Sequence, residues 1–191
     1  MKLAVFISGG GTNLQALIDT CAKGTLKAEI KAVISNNSKA YGLDRARQAG
    51  LETFHISRIV YSDEEDYQNA LMDVLEEFEI DLVVLAGYMK LLPSVVVKKY
   101  YGRIINIHPA LLPKYGGKGM YGMKVHEAVL QSGDKFSGAT VHMVDDKYDQ
   151  GPILIQRRVP VQNGDTPETL AARVLEVEHQ ILPQAVSLFI K

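Results

Sequence analysis

The run Leu82-Val83-Val84-Leu85-Ala86 has five apolar residues in succession, without the alternation of apolar and polar residues that marks a half-exposed strand. A short continuous apolar run is typical of a β-strand buried on both faces. Strands of this kind occur in mostly parallel sheets that carry helices on each side. The run, taken as part of a strand from Asp81 to Ala86, therefore predicts an α/β protein.

On either side of this run, short β-rich stretches alternate with longer stretches of helical period. Further strands are predicted at Lys2–Ile7, Glu29–Ser35, Glu52–Ile56 and Arg103–His108. Helices are predicted from Asn13 to about Ala22, Gly42 to about Ala49, Asp63 to about Glu79 and Pro93 to Tyr100. The pattern indicates a single Rossmann-like domain with a twisted, mostly parallel sheet and helices on both faces.

The last third of the chain departs from this alternation. Residues 140–144 and 153–157 are two strand candidates separated by a short acidic, glycine-containing segment with no room for a crossover helix. Such a connection predicts an antiparallel pair at the sheet edge. A final helix is expected from about Pro167, and Pro183 should kink it or end it early.

Composition excludes several classes of protein. The 21 basic and 22 acidic residues nearly balance, with no dense basic stripe, so we expect no nucleic-acid partner. No run approaches the roughly 20 apolar residues of a membrane helix, so no membrane association is expected. Cys21 is the one cysteine, which rules out an intrachain disulfide and favours a cytoplasmic location.

A glycine-rich segment, Ser8-Gly9-Gly10-Gly11-Thr12-Asn13, lies between the first strand and the first helix. Backbone N–H groups at a helix N-terminus favour a phosphate, and Thr12 and Asn13 add side-chain donors. Leu14 stands where a dinucleotide fingerprint needs its third glycine, so a phosphate monoester is the better ligand. The alternative is a plain turn with Thr12 as the helix N-cap.

Three polar residues suit acyl transfer to an amine. Asn106 and His108 are two apart on a strand and should share a face near its carboxyl end, and Asp149 lies between the two late strands. An amide donor stabilises an oxyanion, an imidazole manages a proton, and a carboxylate supports the imidazolium. The alternative for each residue is an ordinary structural position.

No metal site is predicted. The acids at positions 145, 146 and 149 do not follow the ligand spacing of an EF-hand, and there is no His/Cys pattern of a zinc site. His126 and His179 are interpreted as structural histidines of helical stretches. His142 is assigned support of the site at most.

Three motifs carry a resemblance over essentially the whole chain. The segments Ile7–Gln15, Asn106–Pro113 and Asp149–Pro152 together resemble the glycinamide ribonucleotide formyltransferases. That family implies transfer of a formyl group from 10-formyltetrahydrofolate to the amine of 5'-phosphoribosylglycinamide, a step of purine biosynthesis. The last two motifs are shared by folate-dependent formyltransferases in general, so the resemblance fixes the chemistry more firmly than the acceptor.

The resemblance also assigns site residues. It makes Asn106, His108 and Asp149 the catalytic residues. An N-terminal half, about 1–100, would bind phosphate, and a C-terminal half, about 101–191, would bind folate and carry catalysis. The acceptor would be held by Gly11, Thr12, Asn13 and Glu178, the last contacting its ribose. Folate would be bound by Met89, Lys90, Leu91, Leu92, Asn106 and Asp145, with backbone of the 145–149 loop receiving the pterin. A core position for Met89 and Leu92 is the alternative.

Three features depart from the family pattern. Glu64 stands where some relatives carry an arginine near the folate tail, and Leu175 stands where a polar contact to the acceptor can occur. The loop from Tyr115 to Gly122 is longer than in some relatives, and its glycines predict a mobile lid. Oligomeric state stays open.

Other functions remain as alternatives. A methionyl-tRNA or sugar-amine formyltransferase or a formyltetrahydrofolate hydrolase would share this core. The chain has no basic extension after its last helix and nothing before its first strand, which disfavours the tRNA enzyme and the hydrolase. A non-catalytic nucleotide-binding module would need the glycine loop but not Asn106, His108 and Asp149 together.

Overall fold

The computed structural model describes residues 1–145 and 149–190. Its strands are β1 (Lys2–Ile7), β2 (Glu29–Ser35), β3 (Glu52–His55), β4 (Leu82–Leu85), β5 (Ile104–His108), β6 (Phe136–Met143) and β7 (Ile153–Pro160). Its helices are α1 (Thr12–Ala22), α2 (Tyr41–Gln48), α3 (Glu64–Glu77), α4 (Ser94–Lys99), α5 (Met123–Ser132) and α6 (Pro167–Ser187). The predicted ends of these elements differ from the observed ones by one or two residues in most cases.

All seven strands form one sheet in the order β3-β2-β1-β4-β5-β6-β7. The first five strands pair in parallel, and β5, β6 and β7 pair antiparallel. The predicted fold class, with its antiparallel C-terminal edge, is confirmed. Strand order reverses direction at β1 and β4, and ligands of open α/β sheets bind at such a switch point, beyond the carboxyl ends of the strands.

The position of strand β4 in the sheet explains why its sequence is a continuous apolar run. Leu82 and Val84 belong to the core between the sheet and helices α1, α2, α5 and α6. Val83 and Leu85 belong to the second core, under α3 and α4. Because helices cover both faces of the strand, no side chain of β4 faces water, and all of them are apolar.

Of the two effects predicted for Pro183, the early end of the last helix is wrong, since α6 continues to Ser187. A kink stays a prediction. Pro183 is buried together with Ile181, Leu182, Ala185 and Val186. A proline inside a helix costs about 3 kcal/mol through the lost hydrogen bond and steric clash. Burying several large apolar side chains of the same turns contributes about 1.5–3 kcal/mol each, which offsets that cost.

One further property concerns membranes. Within residues 1–145 and 149–190, no helix combines the length and the apolar character that crossing a bilayer requires.

Candidate active site

A cleft of about 860 Å³ opens beyond the carboxyl ends of β1, β4 and β5. It is bordered by the glycine loop, the segment after β4, the end of β5, the 117–123 segment and one face of α6. The predicted site residues that line it are Gly11, Thr12, Asn13, Met89, Lys90, Leu91, Leu92, Asn106, His108, Asp145, Asp149 and Glu178. The structure therefore brings all the predicted site residues into one cleft.

The glycine loop is held from behind by α2. Gly11 has a left-handed backbone (φ 70°), and a Cβ atom built on it would lie 2.5 Å from the Cα atom of Gly42. The N–H of Gly42 donates to the carbonyl of Gly9 at 3.0 Å, and Arg45 Nε donates to the carbonyl of Gly10 at 2.9 Å. These contacts fix the loop through its carbonyl groups.

Thr12 is the first residue of α1 and does not cap it. The N-cap is Gly11, which has no side chain to accept a hydrogen bond, so the interpretation of Thr12 as the cap is wrong. The first N–H groups of α1 therefore border the cleft without a side-chain cap. Such N–H groups and the positive end of the helix dipole favour an anion.

Asn13 and Glu178 form a buried pair between α1 and α6. Asn13 Nδ2 donates to a Glu178 carboxylate oxygen at 2.6 Å, so one amide hydrogen predicted for phosphate is already engaged. Burial raises the pKa of Glu178 to about 7, although the hydrogen bond from Asn13 acts in the opposite direction. Asn13 Oδ1 is buried without a partner among the described residues. The pair joins the two helices at the end of the cleft where the acceptor is predicted to bind.

Asn106 and His108 share one face of β5, as their spacing predicted. Ile105 and Ile107 alternate with them along the strand and enter the core on the other face. The Asn106 side chain reaches the neighbouring strand, where its Nδ2 lies 3.0 Å from His142 Nε2. Residues 106 and 142 are direct partners in the β5–β6 register. The sheet pairing thus places an amide against an imidazole at the strand end.

His142 determines how the Asn106 amide is oriented. His142 Nδ1 lies 2.8 Å from the carbonyl of Met143, an acceptor, so Nδ1 carries the proton and Nε2 is left to accept. Asn106 therefore turns its NH₂ group toward His142 and toward Asp149 Oδ1, 3.4 Å away. The two amide hydrogens are thus directed at these two acceptors, and the longer contact, to Asp149, is the weaker one.

His108 lies between a backbone carbonyl and a carboxylate. Its Nε2 donates to the carbonyl of Tyr115 at 2.7 Å, and its Nδ1 is 3.7 Å from Asp149 Oδ2. Burial lowers the pKa of His108, and the opposing influence of Asp149 and of the Tyr115 carbonyl does not restore it. In the absence of ligands the imidazole is therefore neutral near pH 7.

Asp149 carries the negative charge of the site. Burial disfavours its ionisation, but His142, His108 and the N–H of Gly117 at 2.9 Å together outweigh that effect and hold its pKa below the usual range. Asp149 has φ 53°, a left-handed conformation that costs a residue with a side chain about 1–3 kcal/mol. Its position is thus enforced by its surroundings.

The loop after the Asn106–Pro113 motif closes against Asp149. A Cβ atom built on Gly116 would lie 2.5 Å from Leu112 Cδ2 and 3.2 Å from Asp149 Cβ. Tyr115, whose carbonyl accepts from His108, is also left-handed, with φ 57°. The 115–117 segment therefore contacts two predicted catalytic side chains, a role that nothing in the sequence indicated. Its predicted mobility stays a prediction.

The predicted folate wall is partly exposed. Met89 keeps 48% of its surface exposed, so the core interpretation is wrong for Met89, while it holds for Leu92, which is buried. The N–H of Met89 donates to Ser8 Oγ at 2.8 Å, which ties the wall to the glycine loop. Asp145 borders the same cleft. The remaining backbone predicted to receive the pterin, residues 146–148, lies outside the described residues.

Leu175 and Glu64, two of the positions that depart from the family pattern, lie in different parts of the structure. Leu175 lines the cleft, as a position facing the acceptor should. Glu64 does not line it. At the exposed start of α3, Glu64 forms an ion pair with Arg58 and accepts from Gln68.

Of the three histidines predicted to have structural or supporting positions, two border the cleft. His142 holds Asn106, and His126 is a buried part of the cleft wall. The sequence carried no signal for His126, because its neighbours Val125 and Val129 mark only a buried helix face. Over residues 1–145 and 149–190, no group of three His, Cys, Asp or Glu side chains is arranged to hold a metal ion.

Comparison with other proteins identifies the family of this chain. The model of the formyl transferase family matches residues 1–186. The chain belongs to the formyl transferase family. Phosphoribosylglycinamide formyltransferase of Escherichia coli K12 is 42% identical over 189 residues, which are 99% of this chain and 87% of that protein. The chloroplastic enzyme of Vigna unguiculata is 46% identical over 97% of this chain, which spans 59% of that protein's length.

A solved structure of the formyl transferase family agrees over the whole fold. The glycinamide ribonucleotide transformylase 1 of Symbiobacterium toebii superposes with a TM-score of 0.92 at 42% identity, covering 99% of this chain and 87% of that one. The resemblance that the three motifs carried is confirmed.

Proposed function

We propose that this protein transfers the formyl group of 10-formyltetrahydrofolate to the amine of 5'-phosphoribosylglycinamide, a step of purine biosynthesis. The observation that carries the proposal is one cleft that has the uncapped N-terminus of helix α1 at one end and Asn106, His108 and Asp149 at the other. Membership of the formyl transferase family and similarity to phosphoribosylglycinamide formyltransferases support the proposal.

The two ends of the cleft suit the two substrates. The acceptor phosphate binds the N–H groups of Gly11, Thr12 and Asn13, and its ribose lies against Glu178. Folate occupies the side formed by residues 89–92 and Asp145, so its formyl group meets the acceptor amine at Asn106. The residues before about 100 supply the phosphate loop, and those after it supply the reacting side chains.

The first chemical step is attack of the neutral amine on the formyl carbon. A carbon–nitrogen bond forms, and the formyl oxygen takes up the electron pair of its double bond. The Asn106 amide donates to that oxygen with the hydrogen that otherwise makes the long, weak contact to Asp149. His108 donates once its N–H turns from the Tyr115 carbonyl to the substrate, and the new negative charge favours its protonated form.

The second step breaks the bond between the formyl carbon and N10 of the folate. The oxyanion re-forms its carbonyl bond, and N10 leaves with the bonding electron pair. N10 takes up one proton, and the attacking nitrogen loses one, so the products are the formamide and tetrahydrofolate. Asp149 stabilises the positive charge on His108 while the proton passes between the two nitrogens through water.

The decisive test is an assay with both substrates. Purified protein is mixed with 10-formyltetrahydrofolate and glycinamide ribonucleotide, and the absorbance change on deformylation of folate is followed with and without acceptor. Turnover that requires the acceptor is expected. Folate deformylation without acceptor would instead indicate a hydrolase, and no turnover would contradict the proposed reaction.

Two further predictions belong to the same assay. Since no step uses a metal, turnover should be unchanged after dialysis against EDTA, and recovery of lost activity by a divalent ion would contradict that expectation.

Methionyl-tRNA and amino sugars tested as acceptors should give no turnover. A cytoplasmic location remains a prediction for fractionation of the source cells.

A further inference from the structure

His126 presents one ring nitrogen to protein and the other to the cleft. It lies on α5, borders the cleft, and is 4% exposed. Nδ1 is enclosed and has no hydrogen-bond partner in the described parts of the chain. Nε2 is not enclosed in this way, and no bond to it is found there either. The polar group that remains available to a ligand is therefore Nε2.

The tautomer follows from the same environment. An enclosed N–H without an acceptor is among the rarest defects of folded proteins, whereas a nitrogen lone pair without a donor is better tolerated. The proton therefore lies on Nε2. Burial lowers the pKa of His126, and a charge on His108 would lower it further, so the ring is neutral. His126 is an uncharged hydrogen-bond donor directed at the cleft.

The surroundings define what such a donor contacts. His108, the titratable neighbour that influences the pKa of His126, belongs to the reacting end of the cleft, where Asp149 is ionised. The ionised Asp149 would repel a second anion there, and a neutral imidazole does not offset that repulsion. Helix α5 packs against α6, whose cleft residues are Ala171, Ala172, Leu175 and Glu178. The first three are uncharged and a carboxyl can only be neutral or negative, so α6 offers no positive charge to an anion. The matching ligand atom is a neutral oxygen close to the reacting amine.

On the basis of the proposed reaction, we infer that His126 Nε2 donates a hydrogen bond to the amide carbonyl oxygen of the bound glycinamide acceptor. That carbonyl is one carbon from the carbon that bears the attacking amine. The bond would restrict rotation of the glycyl group and direct the amine toward the formyl carbon. His126 is then a binding residue that selects an amino-acid amide over acceptors without this carbonyl.

The matched variants are His126→Gln and His126→Asn. A glutamine amide nitrogen reaches the position of Nε2, whereas an asparagine amide nitrogen corresponds to Nδ1. A neutral hydrogen bond corresponds to roughly a threefold to tenfold change in affinity. His126→Asn should raise the acceptor KM by about that factor and leave the folate KM unchanged, and His126→Gln should restore it. His179→Gln, outside the cleft, is the control and should match the wild type.

Ring ¹⁵N NMR of the wild-type protein separates this inference from the reaction itself. The free protein should show His126 protonated at Nε2. Glycinamide ribonucleotide without folate should shift that resonance, and ribose 5-phosphate, which lacks the amide, should not. A shift without turnover would retain the contact and refute the proposed reaction. A proton on Nδ1, equal shifts by both ligands, or an unchanged acceptor KM in His126→Asn would overturn the inference.

Discussion

The two ends of the cleft are built in opposite ways. At the predicted phosphate end, six consecutive residues form the glycine loop, which offers backbone N–H groups and is held by α2 at Gly11. At the predicted catalytic end, Asn106, His108, His142 and Asp149 come from three separate segments and contact one another through side chains. The comparison teaches that one end depends on chain conformation, whereas the other depends on a charge network. Substitutions at the two ends should therefore fail differently.

The largest expected effect is on turnover at the catalytic end. Asp149→Asn removes the negative charge but keeps a side chain that tolerates φ 53° and accepts from the Gly117 N–H. Because His108 loses the carboxylate that stabilises its charge, kcat should fall about 10²–10⁴-fold. Asn106→Ala should cost about 10²–10³-fold through the lost oxyanion donor.

Thermal unfolding and steady-state kinetics together test this prediction. The melting temperatures of both variants should stay close to that of the wild type, and Asp44→Asn, an exposed change outside the cleft, should alter neither quantity. Full activity in Asp149→Asn would remove the proposed role of its charge.

At the phosphate end the expected effect is on stability. Gly11→Ala places a Cβ 2.5 Å from the Gly42 Cα atom and forces alanine into a left-handed conformation, and each of these costs about 1–3 kcal/mol. Gly10→Ala meets nothing within 4 Å. Chemical denaturation should therefore show a loss of unfolding free energy for Gly11→Ala and a change below about 0.5 kcal/mol for Gly10→Ala. Equal losses would show that α2 does not hold the loop.

The same contrast explains how much the sequence could predict. Local patterns predicted β4, the shared face of Asn106 and His108, and the glycine loop, because strand period and turn chemistry act over a few residues. They did not reveal the Asn13–Glu178 bond, the Tyr115 carbonyl on His108, or His126 in the cleft wall. Each of those depends on how distant helices and loops pack. Pro183 failed as a helix end for the same reason, since tertiary burial outweighed local preference.

The contribution of the Glu178 carboxyl to folding stability should depend on pH. Its pKa is about 7 in the fold and 4.5 in the reference state, so the folded protein retains this proton while the unfolded chain loses it. Folding stability from this group should thus fall as pH rises from about 4.5 to about 7, by on the order of 3 kcal/mol, and stay constant above. Glu178→Gln keeps an oxygen for Asn13 and has no proton to lose.

Denaturation of the two proteins at matched pH isolates that group from the histidines. The stability of Glu178→Gln relative to the wild type should rise between pH 4.5 and 7 and then level off. A difference that is independent of pH would mean that folding does not raise the pKa of Glu178.

The smallest expected effect concerns Glu64, which lies outside both ends of the cleft. Its ion pair with Arg58 is exposed, and exposed pairs contribute about 0–1 kcal/mol, so Glu64→Ala should scarcely change the melting temperature. Because Glu64 does not line the cleft, the folate KM should also stay constant. Lys90→Ala is the matched comparison, since Lys90 borders the folate side and its ammonium can attract the anionic tail. A raised folate KM in Lys90→Ala alone would place tail recognition on the wall after β4, whereas a change in Glu64→Ala would move it to α3.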